Sequence, residues 1–171
     1  MSHACKNLSE QEKNKVQSSI HPKSIMSWIG RVTLVHFATY FVFGIIFFNF
    51  LGYASLYSMP DVAVFMRPTT DPLVMAGSLF QLIRGPIIAL ALYPFREVFI
   101  NSRRGWALLW GLLLALMIVA PAGASPGSIE GLVYTKIPLW FHIIALPEVI
   151  LQTLAFSWLV IRWEHHAKNK K

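Results

Sequence analysis

Apolar residues are gathered into four long runs that are separated by shorter polar segments. The runs are Ser27–Phe50, Leu73–Phe95, Trp106–Ala120 and Leu139–Ile161. About 20 apolar residues in a helix cross the hydrocarbon core of a bilayer, and the third run, the shortest, reaches that length only with help from its flanking residues. The pattern predicts an all-α integral membrane protein whose four spanning helices pack as a bundle.

The polar segments divide the chain into three parts. Residues 1–24 mix lysine with glutamate and lack a small-residue cleavage site before the first apolar run, so we expect them to stay as a cytosolic segment. Residues 25–163 form the predicted transmembrane domain, and residues 164–171 a basic cytosolic tail. The link 96–105 is short, which predicts that the second and third helices are antiparallel neighbours.

The basic residues are distributed unevenly between the segments. The chain has a net charge of +7, yet only Arg67 and Lys136 fall in the first and third loops. Because loops rich in lysine and arginine stay in the cytoplasm, this asymmetry predicts that both termini are cytoplasmic, and we expect a bacterial inner membrane. With 55% hydrophobic and 13% charged residues, the excess of positive charge indicates membrane topology and no nucleic-acid partner.

Two charged residues lie inside apolar runs, each beside a proline. Arg84 precedes Gly85 and Pro86, and Glu148 follows Pro147. A charge at membrane depth is costly, and its presence there is typical of functional sites. Proline removes a hydrogen bond from the helix, so the second and fourth helices are predicted to be interrupted, with Gly85, Pro86 and Pro147 as hinges.

Counting along these two helices predicts that the charges form a pair. Arg84 and Glu148 lie 12 and 10 residues after the prolines that begin their runs, which places both roughly 15–18 Å deep. Gln81 and Gln152 lie one turn from them and complete a predicted polar cluster. The cluster is predicted to be a ligand, proton or partner site, with the fixing of helix packing as an equally weighted alternative.

Few other residues suggest chemistry. His36 and His142 lie at different depths, so one haem held by both is not expected, and His36 is predicted to be a packing histidine. Glu130, Tyr134 and His142 form a second predicted polar group at the outer rim. Cys5 is the only cysteine, and no catalytic or metal-binding motif occurs. We therefore predict no metal and no cofactor.

Three classes of function remain open. The first is an accessory or regulatory membrane protein that binds a membrane partner or a lipid-like ligand through the cluster of Arg84 and Glu148. The second is a small oligomeric transporter or channel in which Glu148 carries a proton or cation. The third, a membrane enzyme or redox subunit, is the least favoured because no motif supports it. Expected partners are the bilayer and either another membrane protein or a second copy of the chain.

Overall fold

The computed structural model describes residues 22–119 and 124–169. Within these ranges the protein consists of helices joined by turns and short loops, with no strand, which confirms the all-α prediction. Residues 1–21 of the predicted N-terminal segment, residues 120–123, and the last two residues of the predicted tail lie outside the described ranges.

Nine α-helices are assigned in the described ranges. Three are long: α1 (Pro22–Leu51), α5 (Gly77–Leu92) and α9 (Leu139–Asn169). Between the first two lie α2 (Tyr53–Leu56), α3 (Pro60–Ala63) and α4 (Pro72–Met75). A 3₁₀ turn, Tyr93–Phe95, leads from α5 into α6 (Arg96–Asn101), which is followed by α7 (Gly105–Ile118) and α8 (Ile129–Tyr134).

In the described part of the chain, three helical segments are long and apolar enough to cross a membrane. They are Ser24–Leu51, Gly77–Asn101 and Leu139–Asn169, and they correspond to the first, second and fourth apolar runs. The third run forms α7, which has 14 residues and is therefore about 21 Å long, less than the ~30 Å of a hydrocarbon core. The fourth span and the closed bundle thus stay predictions.

Both prolines lie inside continuous helices, so the predicted interruption of the second and fourth helices is wrong. Pro86 is within α5 and Pro147 within α9, and neither position ends its helix. Proline is tolerated in membrane helices because neighbouring groups can satisfy the backbone that it leaves unpaired. That Gly85, Pro86 and Pro147 act as hinges remains a prediction.

The long helices pack in an order that differs from the predicted one. Helix α1 packs against α5 and against α9, and α7 packs against α9, so that α5 and α7 lie at the two ends of the order α5, α1, α9, α7. The expectation that the second and third spans are neighbours is therefore wrong for the described residues. The reason is that the link contains α6, which packs on both α7 and α9 and carries the chain across.

The core lies at the end of the molecule where α1 begins and α9 ends. Its centre is Trp28, which is fully buried and whose indole N–H donates to the Ala89 carbonyl at 2.8 Å. Side chains from five helices surround it: Val32, Val35, Leu92, Phe99, Leu109, Phe156, Val160 and Ile161. The indole hydrogen bond fixes the register of α1 against α5.

An ion network joins three helices beside this core. Glu164 is 1% exposed and accepts from Arg31 Nε at 2.5 Å and from Arg96 Nη2 at 2.7 Å. The Arg96 guanidinium also lies 5.5 Å from the ring centroid of Trp28. That residues 164–171 form a cytosolic tail stays a prediction; in the structure α9 continues through residue 164 to Asn169, and Glu164 is a buried partner of two arginines.

Candidate functional site

The predicted ion pair between Arg84 and Glu148 is not among those formed by the described residues. Helix α1 packs against both α5, which carries Arg84, and α9, which carries Glu148, and the two charged residues line different cavities. The two charges therefore occupy separate surroundings. This corrects the predicted pair, although the functional importance of each residue stays a prediction.

The offset between α5 and α9 explains the difference. His36 Nε2 lies 3.0 Å from Gln81 Oε1, and the same ring contacts Phe156 edge-on at 5.9 Å between centroids. Gln81 is thus level with Phe156, which lies eight residues after Glu148, or about 12 Å along the helix axis. Counting from the starting prolines assumed that Arg84 and Glu148 are level with each other, whereas these contacts place Gln81, one turn before Arg84, beside a residue well beyond Glu148 on α9.

Glu148 has a tyrosine as its partner. Tyr53 donates its phenolic O–H to Glu148 Oε2, and both side chains are half-buried. Helix α1 ends before Gly52, whose φ of 64° is a left-handed conformation that glycine adopts without steric cost. This turn starts α2 at once and brings Tyr53, together with Tyr57 one turn later, over the side of α9.

Glu148 lines a cavity of about 510 Å³. Its walls come from α1, the segment 53–75, Pro126 and α9, and five of the lining side chains are aromatic: Tyr40, Phe48, Tyr53, Tyr57 and Phe141. The Tyr53 and Tyr57 rings are stacked with centroids 5.4 Å apart. Among the described residues that line it, Glu148 is the one that carries a charge, so this part of the chain forms an apolar and aromatic cavity with a single acidic group.

The two stacked tyrosines remain protonated donors. Burial raises the pKa of Tyr53, and the hydrogen bond and the charge of Glu148 raise it further. Burial and the charge of Glu148 also raise the pKa of Tyr57. Since an unperturbed tyrosine titrates near 10, both phenols keep their protons at physiological pH, and Tyr53 can donate to the carboxylate throughout.

Arg84 lines a second cavity, of about 460 Å³. The Arg84 side chain is exposed on α5, and the other walls are the end of α7, the loop residues 124–127, and Leu146 and Val149 of α9. Val149 lines both cavities. The acidic and the basic residue thus lie in adjoining cavities, with Val149 between them.

The remaining members of the predicted cluster are separated as well. Gln81 is buried and also donates from Nε2 to the Gly77 carbonyl at 3.1 Å, so its hydrogen bonds go to His36 and to its own helix. The prediction of His36 as a packing histidine is confirmed, since the ring is buried between Gln81 and Phe156. Gln152 is half-buried on α9.

The predicted outer-rim group is not assembled either. His142 is buried, and its Nδ1 accepts from the Gly127 backbone N–H at 3.0 Å. Gly131 lies against its ring, where an added Cβ would be 3.0 Å from His142 Cε1. Tyr134 is 79% exposed, and in the described ranges neither it nor Glu130 bonds to His142. The histidine therefore holds the loop before α8 against α9.

The described residues contain no group of three or more His, Cys, Asp or Glu side chains that could hold a metal ion.

The sequence did not identify Tyr53 and Tyr57 as site residues, because tyrosines at the end of an apolar run are typical of the membrane interface. Gly52, just after the end of the apolar run, could have indicated that Tyr53 lies near the helices, because glycine permits the chain to turn back there.

Comparison of the chain with protein-family models, with curated proteins and with solved structures found no match in any of the three. The site is therefore interpreted from its own geometry.

Proposed function

We propose that the protein is a small multi-pass membrane protein of accessory or regulatory type that binds a lipid-like ligand in the cavity beside Glu148. The single observation that supports this is the cavity itself: about 510 Å³ of space whose walls are largely apolar, with one carboxylate among them. Ligand sites in proteins commonly combine an apolar lining with a few placed polar groups.

The rim of the cavity favours a ligand that arrives from the membrane. Phe48, Val74 and Met75 line the cavity and are also exposed on the surface, at 41%, 37% and 69%. In a membrane protein such side chains face acyl chains. An alkyl tail can therefore lie across Phe48, Val74 and Met75 while its head group reaches Glu148.

We further propose four spans with both termini in the cytoplasm of a bacterial inner membrane. The support is the distribution of basic residues and the placement of Arg31, Arg96 and Glu164 together at one end of the long helices. Helix α7 would cross the membrane with help from its flanking residues, or through local thinning of the bilayer.

The test is a cavity-filling variant analysed for bound lipid. Gly44 lines the cavity, and an added Cβ there meets no described residue within 4 Å, so the Cβ of Gly44→Leu has room and the rest of its side chain takes up open space. Gly30→Leu is the matched control, because Gly30 lies on the same helix with equally open surroundings and away from the cavity. Native mass spectrometry of gently extracted protein should show a retained lipid-like molecule in wild type and Gly30→Leu, and its loss in Gly44→Leu. Equal retention in all three proteins would contradict the proposal.

The carboxylate in the fourth predicted span favours one second candidate, a small oligomeric transporter or channel in which Glu148 loads a proton or cation. This candidate requires flux across liposome membranes that is lost in Glu148→Gln. No flux under any ion or pH gradient would exclude it and leave the binding function.

A further inference from the structure

We propose that the ligand of the Glu148 cavity is an amphiphile with a cationic head, an amine or a quaternary ammonium group. This inference rests on the proposed function, namely that the cavity binds a lipid-like molecule. It adds the sign of the charge on the head group and the residues that recognise it.

The first argument is charge. Within residues 22–119 and 124–169, Glu148 is the one charged residue that lines the cavity, and Arg84, its predicted partner, lines the adjoining cavity instead. A carboxylate removed from water is costly unless it is paired or hydrogen-bonded. Tyr53 occupies one acceptor position of the carboxylate, and an ionised carboxylate has about four such positions. Tyr53 donates a hydrogen bond to the Glu148 carboxylate but does not neutralise its negative charge. A cationic head group would neutralise it.

The second argument is the aromatic wall. Tyr40, Tyr53 and Tyr57 line the cavity together with Glu148, and the ring of Phe48 meets that of Tyr53 edge-on, with centroids 6.3 Å apart. Aromatic rings attract cations electrostatically, and cages of aromatic side chains recognise quaternary ammonium groups. An anionic or uncharged head would gain nothing from these faces.

The third argument concerns the rest of the ligand. The other lining residues, among them Val74, Met75 and Ile144, are apolar, which suits an alkyl chain and gives a polyol or a hydrated ion few partners. A free metal cation would need several oxygen ligands, whereas the cavity offers one carboxylate. An alkylammonium matches both the acidic and the apolar part of the wall.

The experiment uses the full chain in phosphatidylcholine nanodiscs and radiolabelled dodecyltrimethylammonium as the probe. Empty nanodiscs give the background due to partition into lipid. Dodecanol, with a neutral head, and dodecyl sulfate, with an anionic head, serve as competitors of the same chain length. The variants are Glu148→Gln, Tyr57→Leu and Gly44→Leu, and the controls are Gly30→Leu and Glu130→Gln, whose carboxylate lies outside the cavity. Thermal unfolding establishes that each variant is folded.

The expected result is saturable binding of the cation that dodecyl sulfate and dodecanol displace poorly. Glu148→Gln should weaken it by about tenfold or more, the factor that corresponds to the loss of one good polar contact. Tyr57→Leu keeps the carboxylate and removes one ring, so binding should weaken by about threefold. This second variant keeps the proposal testable if Glu148→Gln does not fold. Glu130→Gln and Gly30→Leu should bind as wild type.

Two different failures can be told apart. If dodecanol competes as well as the unlabelled cation, and Gly44→Leu abolishes the binding of both, the cavity is a lipid site and the cationic head is wrong. If Gly44→Leu leaves the binding of every probe unchanged, the cavity is not the site, and both the proposed function and this inference are overturned.

Discussion

Gly85 on α5 lies so close to Thr33 on α1 that a Cβ added at position 85 would be 2.8 Å from Thr33 Cγ2 and 2.9 Å from Thr33 Cα. The second of these atoms belongs to the backbone, so a rotamer change of Thr33 cannot remove the clash. Small residues at such contacts let membrane helices approach closely. Gly85, which the sequence marked as a hinge, therefore has a definite packing role between α1 and α5.

Gly85→Ala should destabilise the protein, because α1 and α5 must move apart to admit the methyl group. We expect a loss of about 1–3 kcal/mol in the free energy of unfolding, measured by denaturant titration in mild detergent. Gly30→Ala is the control: no residue that the structure describes lies within 4 Å of an added Cβ there, so it should be neutral or slightly stabilising. Equal effects of the two substitutions would show that the close approach is not needed.

Glu164→Gln should be more damaging, because it leaves Arg31 and Arg96 without their shared carboxylate beside the core. Removal of one partner from a buried ion pair typically costs about 3–5 kcal/mol. Glu97→Gln provides the comparison within the same network, since Glu97 also contacts Arg96, at 3.2 Å, but its side chain is 53% exposed. An exposed pair is worth about 0–1 kcal/mol. Thermal unfolding of both variants tests the difference, and a mild Glu164→Gln would argue against a structural role for the network.

The start of α4 should depend on pH. Asp71 accepts from the Leu73 N–H at 2.8 Å and from Arg67 Nη1 at 2.9 Å, and these two contacts hold the pKa of Asp71 below its usual range. Because the folded-state pKa is the lower one, the stabilisation is present above the unfolded value of about 4 and is lost as the pH falls through the folded value.

The measurement for Asp71 is hydrogen exchange of the Leu73 amide, corrected for the intrinsic pH dependence of exchange. Wild-type protection should fall once the pH drops below about 4. Asp71→Asn keeps a side chain that caps helices well but does not titrate, so its protection should not change over that range. A pH-dependent fall of the same size in the variant would assign the effect to another group.

The number of spans can be decided by labelling. In a Cys5→Ser background, single cysteines replace Thr70, Asn101, Lys136 and Lys168, all of which are exposed. With four spans, an impermeant maleimide applied to intact cells should label positions 70 and 136 and spare positions 101 and 168. If α7 does not cross, position 136 should be spared like position 101, and position 168 should be labelled. Permeabilised cells give the total labelling at each site.

The apolar runs predicted the helices well, because burial in lipid requires a long apolar segment wherever a helix crosses. Three of the four predicted spans coincide with segments that are long and apolar enough to cross. The exception, α7, was also the shortest run. Glu148 was singled out for its cost at membrane depth, and the structure places it in the larger of the two cavities described above.

The side-chain contacts between helices were harder to predict than the location of the helices along the sequence. The pairing of Arg84 with Glu148 assumed two adjacent helices that start level, whereas the packing order and the offset of α5 against α9 depend on contacts such as those of Trp28 with Ala89 and of His36 with Gln81. Glu164 looked like part of a solvated tail because it stands among polar residues. In the structure Glu164 is paired with Arg31, which lies 133 residues away. The sequence around residue 164 does not indicate such a distant contact.

That separation has a consequence for synthesis. The chain is synthesised from its N-terminus, so Arg31 is made long before its carboxylate partner exists, and Arg96 follows with the exposed Glu97 as an acidic neighbour. Until residue 164 is translated, both guanidinium groups lack the buried carboxylate that they share in the folded protein. The network can therefore join α1 and α6 to α9 only after residue 164 has been made, so this part of the fold cannot be completed while the earlier helices are being synthesised.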